Sequence, residues 1–214
     1  MIHTRLRWPN GAAELTADGL RAVALMCIVV AGIGWGPIPA ASLALVAGGM
    51  MIPRLLGIRP SVDIAFGVVV LVAVWSSVLD IYITTPWWDL PVHLVTNGLC
   101  AALLYILLER FRLVAAAATL PRPVLTTTVL TTALGLALGV VWEIFEWFGH
   151  TFLDPEIYVG YTDTIGDLVW GAAGAVLAGL GMRFLTGHTT TRGAAEPATG
   201  PGRPRRDSVF DDET

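Results

Sequence analysis

The chain has 214 residues, 55% of them hydrophobic and 14% charged, with a net charge of −4 and a mean hydropathy of +0.68. Soluble globular domains carry roughly 25% charged residues, so this composition points away from that class and toward a membrane protein. All 13 basic residues are arginine, which excludes a lysine-dependent phosphate loop and a Schiff-base lysine.

Six apolar segments follow in chain order, at about 20–36, 39–56, 62–83, 91–113, 124–148 and 164–185. A span needs about 20 such residues. The second segment is the weakest, because Pro53 and Arg54 shorten its apolar core. The expected fold is an all-α, polytopic transmembrane bundle of about six helices over residues 1–186. The polar, Gly-, Pro-, Thr- and Arg-rich stretch 187–214 is expected to be a disordered cytoplasmic tail. Cys27 and Cys100 each lie inside an apolar run and read as small buried hydrophobes.

Arginine placement gives an orientation. Arg5, Arg7 and Arg21 precede or open the first segment, and Arg54 and Arg59 separate the second from the third. Arg110, Arg112 and Arg122 separate the fourth from the fifth, and Arg183, Arg192, Arg203, Arg205 and Arg206 close or follow the sixth. In a six-span chain all of these fall on one side. Excess arginine marks the cytoplasmic side, so both termini are expected in the cytoplasm. The other side holds Asp80, Asp89, Glu143, Glu146, Asp154, Glu156, Asp163 and Asp167, with His93 and His150 and no arginine.

Residues three and four apart share a helix face. Asp89, His93 and Asn97 form one stripe on the fourth segment. Gly135, Gly139, Glu143, Glu146 and His150 form another on the fifth, and Asp163, Asp167, Gly171, Ala175 and Gly179 a third on the sixth. Small residues at this spacing let membrane helices approach closely. Carboxylates on the same stripes then turn inward, where they escape the roughly 2.5–3.5 kcal/mol cost of a lipid-facing charge. Trp87, Trp88, Trp142 and Trp147 fit an interfacial aromatic belt at that level.

Simpler roles compete for these residues. Asp89 could be a helix N-cap with Pro91 in the first turn, and Thr164 with Asp167 fits a capping box. Glu143 and Glu146 lie near the predicted helix C-terminus, where the dipole disfavours negative charge, and plain interfacial solvation would satisfy them. As one set, Asp89, His93, Glu143, Glu146, Asp163 and Asp167 have the ligand character for a divalent cation: Mg²⁺, Mn²⁺, Ca²⁺, or Zn²⁺ through His93. Glu143, Glu146 and His93 are then the candidate catalytic groups, one glutamate serving as general base on a metal-bound water. No familiar catalytic motif is present: HExxH, GxSxG, a Gly-rich phosphate loop and CxxC are all missing.

The segments WDLPVHLVTNGL, WEIFEWF and YTDTIGDLVWGAAGAVLA resemble the YjdF-like bacterial inner-membrane proteins, a domain of unknown function. The likeness covers about residues 60–185 and is looser to the VanZ-like membrane proteins. There the position of Glu146 is usually Gln and that of Asp167 usually Asn. It implies an architecture and a residue set, without a reaction. Two functions remain open: a metal-dependent membrane enzyme acting on a lipid or lipid-linked envelope substrate at the outer face, or a non-catalytic cation-binding structural or regulatory protein, or ion or proton pathway. Membrane lipid is the expected partner, and no basic cluster suggests nucleic acid.

Overall fold

Proline and glycine punctuate the helices. A computed structural model describes residues 8–9, 11–116 and 119–186; the tail expected at 187–214 lies outside them. α1 runs Ala12–Gly34, α2 Pro37–Gly49, α3 Met51–Leu56, α4 Pro60–Val78 and the single turn α5 Ile81–Thr84. A three-ten turn at Pro86–Trp88 leads into α6 Asp89–Arg110, then α7 Pro123–Phe152, α8 Tyr161–Leu180 and α9 Met182–Thr186. Pro37, Pro60 and Pro123 stand in the first turns of their helices, where the missing N–H was unpaired anyway. Gly57 ends α3 in the left-handed conformation, which glycine adopts without a Cβ penalty. The described residues contain helices and no strand, an all-α bundle as the composition implied.

Five stretches are long and apolar enough to cross a membrane: 12–34, 37–56, 60–78, 86–110 and 123–152. Many large apolar side chains face outward, among them Leu25, Val29 and Ile33 on α1 and Val140, Ile144 and Phe145 on α7. Lipid tails satisfy such surfaces, whereas water does not.

Several expected boundaries move. The first span starts at residue 12 rather than 20, because the charges that interrupt its apolar run are paired inside the bundle. Arg21 Nη2 lies 2.6 Å from Asp63 Oδ1 on α4 and Nη1 3.1 Å from Asp18, and its Nε and Nη2 donate to the Met50 carbonyl. Arg54 reaches Glu14 and Asp18. The second span is a broken pair, α2 and α3. The third ends at Val78, where Asp80 takes a left-handed turn. The fifth continues to Phe152. The sixth, α8, is not among the five apolar stretches, since Asp163, Asp167 and its glycines dilute its apolar content. At 20 residues it still rises about 30 Å.

Two packing regions result. In the first, Ala17, Ala24 and Ala31, seven apart on α1, are buried. Ala24 and Ala31 join Leu43, Met50, Phe66, Val70, Leu71 and Leu103 in an apolar core, with Cys27 and Cys100 against it; both cysteines are free. In the second, α6, α7 and α8 meet through small residues. A Cβ on Gly98 would sit 2.6 Å from the Gly174 carbonyl oxygen, and one on Gly174 would overlap the Leu94 carbonyl. Gly135 abuts Ala175 and Ala101, Gly139 faces Leu168, and Gly179 meets the Thr128 backbone. Gly135, Gly139, Gly171, Ala175 and Gly179 lie on the stripes read from the sequence, whereas Gly98 and Gly174, at the tightest contact, lie beside them.

Candidate metal centre

α6 and α8 begin at the end of the bundle where α7 finishes, and the glycine contacts fix their register. Asn97 shows the consequence. Its side-chain amide donates to the Gly135 carbonyl of α7 at 3.1 Å, and a Cβ on Gly171 of α8 would lie 2.8 Å from the same nitrogen. The α6 stripe therefore faces both partner helices. One and two turns nearer the helix start, the same face carries His93 and Asp89.

His93 Nε2 lies 3.3 Å from Asp89 Oδ1 on its own helix and 3.8 Å from Asp167 Oδ2 on α8. Asp167 is 4% exposed, and its Oδ1 has no hydrogen-bond partner. Two groups of donor atoms meet at this residue. Asp89, His93 and Asp167 form one, and Glu143, Glu146 and Asp167 the other, the atoms of each lying within 4.8 Å of one another. Asp89 is buried, and His93, Glu143 and Glu146 are half-buried. By helical rise Asp167 sits roughly 9 Å inside the start of α8.

Five of the six expected ligands are brought together, contributed by three helices. Asp163, one turn earlier on α8 and half-buried, stands outside both groups. His150, on the same stripe as Glu143 and Glu146, is exposed, and its Nδ1 pairs with the Ile157 carbonyl at 2.7 Å, holding the loop after α7.

The capping alternatives do not form. α6 has Trp88 at its N-cap and α8 has Gly160, neither with a side-chain cap hydrogen bond. α8 starts at Tyr161, three residues before Thr164, so Thr164 and Asp167 lie inside the helix and cannot box its end. Because α7 runs on to Phe152, Glu143 also lies deeper than a terminal position, roughly 13 Å from the helix end. Among the described residues no arginine pairs with Asp89, Glu143, Glu146, Asp163 or Asp167.

Sequence reasoning missed what lies beside this cluster. Trp88, placed in the aromatic belt, turns inward and donates its indole N–H to Ser76 Oγ at 3.0 Å. Trp87, Trp142 and Trp147 are exposed. Val72, Trp75, Ser76, Ile81, Thr85 and Trp88 line an apolar groove of about 430 Å³, adjoining Asp89 through Trp88. The only sequence signal was the density of tryptophan near one membrane level.

Apolar outward faces around an inward acidic cluster define a multi-pass membrane protein. The chain belongs to the family described as "Predicted membrane protein (DUF2238)", whose model matches residues 19–187. No curated protein and no solved structure matches it.

Proposed function

We propose that this is a bacterial inner-membrane protein, with both termini in the cytoplasm, that binds divalent cations at the outer end of α6–α8. One observation carries the reading: Asp167, buried and with an oxygen that has no partner, sits where two groups of ligand-type atoms meet. A buried unpaired carboxylate is costly, and among the described residues no arginine offsets it. A divalent cation does so, and the oxygen-rich donor set suits Mg²⁺, Mn²⁺ or Ca²⁺, with Zn²⁺ accommodated by His93. The narrower likeness to YjdF-like proteins, and the looser one to VanZ-like proteins, belongs to the same proposal.

The proposed activity is metal-dependent turnover of a lipid or lipid-linked envelope substrate. The groove lined by Trp88, the chain neighbour of Asp89, is almost wholly apolar, which suits an acyl or prenyl chain whose polar head would extend toward the carboxylates. Glu143 and Glu146 are the candidate general bases, and His93 a proton carrier. The test incubates the purified protein with extracted bacterial membrane lipids, with and without Mn²⁺. A metal-dependent product, lost in Glu143→Gln while the variant stays folded, supports the enzyme. Cation binding without any product in the parent would make the site structural or regulatory.

A further inference from the structure

The donors fall into two groups that share Asp167, not into one group of five. Ligands of a single Mg²⁺, Mn²⁺ or Zn²⁺ ion lie at most about 4–4.5 Å apart, twice a metal–ligand distance of roughly 2.0–2.2 Å. A set of five that does not close within 4.8 Å is too wide for one such ion as it stands, whereas each triad does close within that distance. We infer that the site is a two-cation centre in which the Asp167 carboxylate bridges one ion held by Asp89 and His93 of α6 and a second held by Glu143 and Glu146 of α7.

This rests on the cation-binding reading above, and a second observation supports it. Asp167 is more than nine-tenths buried between both triads. Its Oδ2 lies 3.8 Å from His93 Nε2, beyond hydrogen-bond length, and its Oδ1 has no hydrogen-bond partner among the described residues. A carboxylate that presents both oxygens without a committed proton donor is free to bridge. Bridged pairs stand about 3.5–4 Å apart and clamp an oxygen-centred displacement from two sides. The ligand class follows: a phosphate ester or pyrophosphate oxygen of a lipid head, held between the two ions. The Gly98–Gly174 contact, about two turns along α8 from Asp167, fixes α6 against α8 and so holds the α6 pair at a set distance from Asp167.

The experiment is Mn²⁺ titration of the full-length, metal-stripped protein in detergent, reading bound metal per chain and the electron paramagnetic resonance spectrum. Two Mn²⁺ per chain with a spin-coupled spectrum is the expected result. His93→Gln and Glu146→Gln should each lower the count from two to one and leave an uncoupled signal. Asp167→Asn, which removes the ligand common to both ions, should lose the bound metal and with it the coupling. One uncoupled Mn²⁺ per parent chain overturns the bridged pair and leaves the single-cation reading standing. No bound Mn²⁺ overturns both. The parent measurement alone decides between these outcomes if a variant does not fold.

Discussion

The two halves of the bundle treat buried acids in opposite ways. In α1–α4, Asp63 is buried against Arg21, while Glu14 and Asp18 meet Arg54, so the chain supplies its own cations and an apolar core completes the contact. In α6–α8, Asp89 and Asp167 are also buried, yet among the described residues the basic group paired with them is His93. An acid with an internal cation is a structural lock. An acid without one must stay protonated or, on the proposed reading, take a cation from solution, and its helices are held by glycine contacts instead.

The largest expected effect is in the first half. Arg21→Met leaves Asp63 buried and unpaired and should cost about 3–5 kcal/mol, seen as a sharp loss of melting temperature or of folded protein. Adding Asp63→Leu to the same chain should recover most of it. If the double variant is no more stable than Arg21→Met, the pair is not a lock.

Next come the glycine contacts. Gly174→Leu drives a side chain into the Leu94 backbone, and Gly139→Leu meets only the movable end of Leu168. Overpacking typically costs about 1–3 kcal/mol, occasionally more, so Gly174→Leu should be the worse of the two. Gly48→Ala, where a Cβ meets nothing within 4 Å, should be neutral or gain about 0.5–1 kcal/mol. Equal effects at Gly174 and Gly48 would remove the close-packing argument.

A smaller effect sharpens the contrast. Mn²⁺ at one hundred times its dissociation constant should add about 2.7 kcal/mol for each ion bound. Metal ligands bind deprotonated, so protons compete with the ion and this gain should shrink between pH 7 and pH 5. A gain that grows on acidification would argue for different ligands.

Much of this was legible in the sequence, for a physical reason. Helical periodicity places Asp89, His93 and Asn97, and Gly135 with Glu143 and Glu146, on single faces, and glycine says which face packs. That carried the convergence of three helices. Long-range pairing was not legible. Arg21, Asp18 and Glu14 looked like the polar flank of a span beginning at residue 20, because their partners Asp63 and Arg54 lie 30 or more residues away. Local signals also misled where the helix boundary decided their meaning. Thr164 with Asp167 matches a capping box, but hydrogen bonding from Thr164 N to the Gly160 carbonyl starts α8 a turn earlier. His150 shared the acidic stripe, yet α7 ends just beyond it and the following loop takes its ring.

The most direct measurement compares melting of the parent, Asp63→Asn and Asp167→Asn, each with and without Mn²⁺ at neutral pH. The parent should gain stability with metal. Asp63→Asn should be destabilised in both conditions and keep its metal-induced gain. Asp167→Asn should melt at or above the metal-free parent, since it removes an uncompensated buried charge, and should gain nothing from Mn²⁺. Metal-independent melting of the parent, or an undiminished gain in Asp167→Asn, would contradict the claim that these acids wait for a cation the chain does not supply.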